Sequence, residues 1–306
     1  MKSPLINLGG ELLEPEKAFV SVYDRSFLFG DSLYEVLRTY EGLPFELTSH
    51  LERLQKSADL CRFQEALPLL AYRTEILRTL KAFQDRAKDP KADAYIRIVV
   101  SRGVGKMGFA LTNIRSGPHF VIYCEPIEPF VSADPNQGLK LRVVDRFRND
   151  PRALAPAMKS GNYLNSLLAY LEAREVGADD AILPDSQGFI TEGTTFNLFF
   201  VKDGIVITSP HEVGILDGIS RRWILKICES LRIPTRIARF PKERLYDADE
   251  VFASSTLKEA FPVVSVDGNL IRGGKPGPLT LRIRARFLEE AVKHARQTGG
   301  TAASGS

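Results

Sequence analysis

The stretch from Lys159 to Glu192 constrains the fold more than any other part of the chain. It begins Lys-Ser-Gly-Asn-Tyr-Leu-Asn-Ser-Leu-Leu-Ala, and its glutamate runs on as Gly-Thr-Thr-Phe-Asn-Leu-Phe-Phe. Leu164, Leu167, Leu168 and Leu171 recur at helical spacing. They predict an apolar stripe on a helix over Tyr163 to Val176, stopped by Gly177. Asp180 to Pro184 reads as a short strand. Glu192 falls in a glycine-flanked turn, and Phe196 to Val201 and Ile205 to Thr208 read as a hairpin around Lys-Asp-Gly. A lysine at the mouth of a helix, then a strand, then a turn glutamate predict a mixed α and β chain.

The rest of the chain agrees. Tyr34 to Leu47 reads as a hairpin across a Glu-Gly turn. Thr48 or Ser49 can N-cap the next helix, with Glu52 completing a capping box from Ser49. Leu51, Leu54, Ala58 and Cys61 follow at helical spacing. A second helix covers roughly Leu67 to Arg86, and strands cover Tyr95 to Ser101 and His119 to Cys124. Glu125 to Gly138 holds Pro126, Pro129, Pro135 and Asn-Gln-Gly, which marks a linker. Beyond it come a strand at Leu139 to Val144, a helix from near Ser220, strands near Thr235 and at Glu250 to Ala253, and an amphipathic helix over Leu279 to Gln297. The expected organisation is a small α/β domain at 1–124, an interdomain loop at 125–138, a larger domain at 139–298 and a disordered tail at 299–306.

Composition excludes several classes. Of 306 residues, 44% are hydrophobic and 26% charged, as in ordinary globular proteins. The net charge of +3 is too small to argue for nucleic acid or a membrane surface. The densest basic group, Arg142, Arg146, Arg148 and Arg152, is broken by Asp145 and Asp150. No apolar run approaches the roughly 20 residues of a membrane span, and no signal peptide is visible. Cys61, Cys124 and Cys228 are far apart and odd in number, which fits a reducing compartment. The isolated histidines offer no metal-ligand spacing. Gly103-Val-Gly-Lys-Met-Gly108 matches a dinucleotide fingerprint, but the residues after it read as loop and strand rather than helix. A glycine loop between strands is the better reading.

Lys159 and Glu192 are the two protein groups that pyridoxal phosphate chemistry needs: an amine acting in its neutral form, and a carboxylate that keeps a ring nitrogen protonated. A helix N-terminus disfavours positive charge and would lower the pKa of a lysine placed there. The plain alternatives are a surface lysine and a surface turn carboxylate.

Further motifs stand in order: Phe29-Gly-Asp-Ser-Leu-Tyr-Glu-Val, His50-Leu-Glu-Arg-Leu, Tyr95-Ile-Arg, Lys159-Ser-Gly-Asn-Tyr-Leu-Asn, Thr191-Glu-Gly-x-x-x-Asn-Leu-Phe, Gly218-Ile-Ser-Arg, and Ala248-Asp-Glu-Val-Phe-x-Ser-Ser-Thr. In these the chain resembles the class IV (fold type IV) pyridoxal-phosphate enzymes over about Asn7 to Val292. That family contains branched-chain aminotransferases, D-amino acid aminotransferases, (R)-selective amine transaminases and aminodeoxychorismate lyase. The resemblance implies an α+β, two-domain architecture: a small α/β N-terminal domain and a larger domain with a β-barrel-like sheet and helices. It implies pyridoxal 5'-phosphate as cofactor, and a homodimer with its site at the subunit boundary, the 103–108 loop crossing over; the expected location, from the cysteines, is cytoplasmic.

Residue by residue, the resemblance makes Lys159 the covalent anchor and the proton carrier between substrate Cα and cofactor C4′. Glu192 meets the pyridine nitrogen and Tyr163 the ring oxygen. Arg53, the backbone of Ile219 and Ser220, and Thr256 hold the phosphate. Phe29, Tyr34, Arg38, Tyr95, Arg97, Leu257 and Lys258 line the substrate pocket. Lys258 with Arg97 or Arg38 could form a carboxylate trap, or be a solvated lysine paired with Glu259. Substrate signals are mixed. Tyr95-Ile-Arg97 and the Gly105-Lys-Met-Gly-Phe loop resemble branched-chain enzymes. Tyr34-Glu-Val resembles D-amino acid enzymes, yet their carboxylate trap falls on Met107 and Phe109, which cannot bind a carboxylate. The expectation is a transaminase between a branched-chain-like amino acid and a 2-oxo acid such as 2-oxoglutarate or pyruvate, with a D-amino acid (or R-amine) transaminase next and the lyase third.

Overall fold

The computed structural model describes residues 3–63, 66–127 and 137–299. They divide into two compact units: one with the described residues up to 127, 158–162 and 291–299, the other with 137–157 and 163–290.

The first unit is built from β1 (Leu5–Leu8), β2 (Glu11–Leu13), α1 (Arg25–Phe29), β3 (Ser32–Tyr40), β4 (Leu43–Pro44), α2 (Leu47–Leu60), α3 (Leu69–Ala87), β5 (Ala94–Ser101), β6 (Val104–Gly105), β7 (Ile114–Ser116) and β8 (His119–Pro126). Six strands form an antiparallel sheet in the order β2-β1-β8-β5-β3-β4. Leu33 and Leu37 of β3 and Ile96, Ile98 and Val100 of β5 pack into a core with Leu51 and Leu54 of α2 and Ile76, Leu80 and Phe83 of α3. Side chains alternate across a strand. The β3–β5 register therefore puts the pairs Tyr34–Val99, Val36–Arg97 and Arg38–Tyr95 on the opposite face. The Gly103 to Gly108 segment forms part of the small β6–β7 hairpin and opens no helix.

The cap of α2 is not where the sequence suggests. The helix begins at Leu47 with Glu46 as N-cap, in left-handed backbone at φ 56°, and Ser49 donates back to the Glu46 carboxylate. Leu47 belongs to the buried core, so the helix must start before Thr48 or Ser49 could cap it.

The second unit holds β9 (Leu139–Val143), α4 (Leu164–Glu175), β10 (Asp180–Pro184), β11 (Ile190–Gly193), β12 (Asn197–Lys202), β13 (Ile205–Thr208), α5 (Ile219–Ser230), β14 (Thr235–Ile237), α6 (Glu243–Tyr246), β15 (Glu250–Ser254), β16 (Phe261–Val266), β17 (Asn269–Leu270) and most of α7 (Pro278–Gly299). The strands make a curled half-barrel in the order β11-β10-β9-β16-β15-β12-β13-β14, with β17 beside β16. Leu141, Ile182, Leu198, Phe200, Val251 and Val263 form its core.

The leucine stripe of α4 does not face that core. Leu164 is 67% exposed and Leu167 50%, while Ser166, Ala169 and Ala173 are buried. Ala169 and Ala173 pack on Val144, Ala181 and Leu183. A helix lying close on a fully buried strand needs small residues at the contact, which turns the leucines outward.

Residues 158–162 join the first unit because Ser160 bridges Leu33, and Tyr34 N–H and Gly161 N–H bond to the Lys159 and Ser32 carbonyls at 3.0 and 2.8 Å. They lie inside the expected second domain at 139–298, as do residues 291–298 of the same unit. Of the expected linker, β8 takes up Glu125 and Pro126, and residues 128–136 lie outside the described residues, as does the tail at 300–306. Among the described residues no helix is long and apolar enough to cross a membrane.

Candidate active site

Each unit carries one group of the expected residues. In the first, Lys159 is not at a helix mouth: α4 begins only at Leu164, with Tyr163 as N-cap. The helix-dipole argument for this lysine therefore lapses. Strand pairing holds the lysine instead. Its N–H donates to Ser57 Oγ at 3.1 Å, and its carbonyl accepts from Tyr34. Its Nζ bonds the Tyr34 hydroxyl at 2.8 Å. The Arg97 guanidinium lies over the same ring, 4.6 Å from its centroid. Arg97 Nε is buried and, among the described residues, has no hydrogen-bond partner. Burial pushes the Tyr95 hydroxyl up, against the pull of Arg97. The structure thus brings Lys159, Tyr34, Arg97 and Tyr95 together. Arg38 stacks instead on Tyr40, at 4.3 Å. Phe29 is half-buried, its ring 5.2 Å from that of Phe109.

Arg53 is a buried residue. His50, Arg53 and Ser57 share one face of α2 and meet Glu35 of β3. Glu35 accepts Arg53 Nε and Nη2, both at 2.7 Å, and faces His50 Nδ1 at 2.8 Å. Burial raises the Glu35 carboxyl, but Arg53 and then His50 outweigh it and hold it well below the usual carboxylate range. Burial pushes His50 down despite Glu35, so the ring is neutral at neutral pH and donates through Nδ1.

In the second unit Glu192 ends up fixed on both oxygens. Oε1 accepts Arg148 Nε at 3.0 Å and Nη2 at 2.9 Å. Oε2 accepts Asn197 Nδ2 at 3.1 Å and the Leu216 N–H at 3.0 Å. Burial, then the Glu192 charge, pushes the Tyr163 hydroxyl well above the usual phenol range. Asn197 connects the remaining parts. Its Oδ1 lies 2.1 Å from where a Cβ on Gly218 would stand, so only glycine fits there. Gly218 is the N-cap of α5 and brings no side chain to cap the Ile219 and Ser220 N–H groups. Asn197 also pairs in register with Ser254, directly ahead of the loop with Thr256 and Leu257.

Lys258 is not a solvated loop residue. Its side chain is 5% exposed, with Nζ 3.8 Å from Asp180 Oδ2. Glu259 pairs with Arg284, at 3.3 Å.

Sequence reasoning missed Arg148 and gave Asn197 no role. Arg148 stands in a basic group that reads as scattered surface charge. Its neighbours do pair with nearby carboxylates: Arg142 with Asp267, Arg146 with Glu172, Arg152 with Asp150. Only the tertiary fold brings Arg148 to Glu192, across 44 positions.

A fixed buried carboxylate and a helix start without a capping side chain, in the second unit, are groups that suit a phosphorylated, ring-nitrogen cofactor, and the first unit separately carries a lysine held by strand pairing. Comparison with known proteins narrows this. Residues 32–266 match the amino-transferase class IV family. The chain is 35% identical over 288 residues to a putative branched-chain-amino-acid aminotransferase of Methanocaldococcus jannaschii, covering 94% of this chain and 96% of the relative. It is 32% identical over 291 residues to a D-alanine aminotransferase of Bacillus licheniformis, covering 94% and 98%. Its fold is similar to the T.th. branched-chain amino acid aminotransferase solved with pyridoxamine 5'-phosphate, with TM-score 0.84, 31% identity and coverage of 95% and 94%. The chain belongs to the class IV aminotransferase family.

Proposed function

We propose that this chain is a pyridoxal-phosphate transaminase that moves an amino group between a branched-chain amino acid and a 2-oxo acid such as 2-oxoglutarate or pyruvate. The observation that carries the reading is Glu192, a buried carboxylate fixed by Arg148, Asn197 and Leu216 beside Tyr163 and the open start of α5. When bound, pyridoxal 5'-phosphate supplies an electron sink for the bonds at the substrate Cα. Glu192 would keep a proton on the ring nitrogen, and Tyr163 would bond the ring oxygen. The Ile219 and Ser220 amides and the Thr256 hydroxyl would bind phosphate, and in the other unit Arg53 is proposed as a phosphate ligand. Lys159 is the covalent anchor and moves the proton at Cα, with Tyr34 fixing the position of its Nζ. The buried Nε of Arg97 gains its acceptor from a substrate carboxylate, with Tyr95 beside it. Phe29, Arg38 and Leu257 complete the pocket.

A second reading, D-amino acid transamination, is favoured by the Tyr34–Lys159 hydrogen bond, since Tyr34 opens the Tyr-Glu-Val stretch that resembles the D-amino acid enzymes. The test is a panel of L- and D-amino acids against 2-oxoglutarate and pyruvate, with borohydride trapping of cofactor on Lys159. Turnover of L-leucine supports the first reading; activity on D-alanine alone moves the assignment to the second. Pyruvate released from aminodeoxychorismate without an amino acceptor would mark a lyase. A protein that traps no cofactor on Lys159 refutes all three.

The working form is proposed to be a cytoplasmic homodimer. Free thiols at Cys61, Cys124 and Cys228 fit a reducing compartment. Exposed Phe19, Phe27, Met107 and Phe109 fit a surface that a second copy covers. Light scattering at twice 34.1 kDa is the expected result.

A further inference from the structure

Lys258 is a buried cation that the reading above leaves without a task of its own. Its ammonium lies 3.8 Å from Asp180 Oδ2 and 5.1 Å from the Phe196 ring centroid. The other oxygen of Asp180, Oδ1, accepts the Thr194 hydroxyl at 2.6 Å and the Ala181 N–H at 2.8 Å. The tip of the Phe196 ring lies against Gly193, where a Cβ would stand 2.0 Å from it. Gly193 N–H closes the turn by donating to the Phe196 carbonyl at 2.8 Å. Thr194 and Phe196 belong to one tight turn, and Lys258 is engaged with both, through Asp180 and through the ring.

The residues flanking that turn are Glu192 before it and Asn197 after it, and they bond to each other. On its own side, Lys258 sits in the loop with Thr256, and its N–H donates to Ser255 Oγ at 3.2 Å. One buried ion pair therefore reaches both the turn that aims Glu192 and the loop that carries Thr256. A buried charge that loses its partner is costly, so the pair enforces one arrangement of turn and loop.

We propose that Lys258 is a positioning residue: paired with Asp180 and stacked on Phe196, it clamps the Glu192 turn to the Thr256 loop. It rests on the proposed function for what the clamp serves, and it replaces a substrate-carboxylate role for Lys258. The clamp sets cofactor affinity rather than affinity for the amino acid.

The test uses the full chain with Lys258→Met, Asp180→Asn and the double variant. Cofactor affinity is read by absorbance titration with pyridoxal 5'-phosphate, and KM by steady-state rates. Each single variant should bind the cofactor on the order of tenfold more weakly, the cost typical of losing a group behind a ligand, with KM for the amino donor changed by less than about twofold. The double variant should be no worse than either single one, because no charge is left alone. A raised KM with unchanged cofactor affinity would make Lys258 a substrate contact and overturn the proposal, as would additive losses. If Lys258→Met does not fold, Lys258→Arg keeps the charge and should hold cofactor affinity near wild type; a normal affinity with a raised KM again overturns it. Hydrogen exchange at the Gly193 amide in the cofactor-free protein separates this proposal from the function itself. Faster exchange in Lys258→Met supports the clamp even in a protein that binds no pyridoxal phosphate, and unchanged exchange refutes it.

Discussion

Glu35 and Glu192 are both buried strand glutamates gripped by an arginine, yet they are built differently. Among the described residues, the side-chain donors on Glu35 come from one helix, α2, through Arg53 and His50. Glu35 itself is fully buried on the core-facing side of β3. Glu192 draws its donors from three separate places: Arg148, Asn197 and the Leu216 backbone. The first arrangement joins a helix to a sheet and orients Arg53. The second holds one carboxylate fixed beside Tyr163 and the open end of α5. A carboxylate served by one neighbouring element suits a structural link, and one served by a strand residue and two separate loops suits the ligand role proposed for Glu192.

Removing the proposed reaction centre is expected to have the largest effect. Lys159→Ala should lower the single-turnover transamination rate by on the order of 10²–10⁴-fold, the usual worth of a positioned proton carrier, and abolish borohydride trapping. The two glutamates should then part company. Glu35→Gln leaves Arg53 as an unmatched buried cation, and should cost about 3–5 kcal/mol in the denaturant unfolding free energy. Glu192→Gln keeps an acceptor for Asn197 and Leu216. It should lose on the order of 10²-fold in turnover with the smaller loss of stability of the two. The reverse ranking would break the comparison.

The next expected effect is on pH dependence. The folded pKa of His50 lies below its ordinary 6.5 and that of Glu35 below its ordinary 4.5. Both depressed groups contribute stability above those ordinary values and lose it on acidification, since the unfolded chain then binds more protons. Melting temperature should therefore fall from pH 7 toward pH 5 through His50, and further below about pH 4.5 through Glu35. His50→Gln should flatten the first decline and leave the second. The smallest effect is expected at Thr48, which caps nothing: Thr48→Ala should stay within about 0.5 kcal/mol of wild type, whereas a true N-cap would cost about 1 kcal/mol. Chemical denaturation distinguishes the two.

What was legible follows from how local each signal is. The β3–β5 strands, the three long helices and the β12–β13 hairpin are written in nearest-neighbour periodicity, and they appear within a few residues of their expected ends. The α4 stripe misled because spacing reports which side chains share a face but not which face is covered; Ala169 and Ala173 won the contact by being small. The α2 cap misled because burial of Leu47 outranked a local capping pattern.

The sequence by itself determined the family, most of the long helices and several of the strands, and the two groups proposed for the cofactor chemistry, since residue type and spacing carry that information. The tertiary structure decided how those groups are held. Lys159 is set by strand pairing to Leu33 and Tyr34, 125 positions away in its bond to the hydroxyl, and not by the helix that follows it. Glu192 is set by Arg148 and Asn197, and Lys258 is matched with Asp180 in the interior. A hydrogen bond or ion pair across many tens of residues leaves no periodic trace in the chain, because it depends on where the backbone returns and not on what stands beside it.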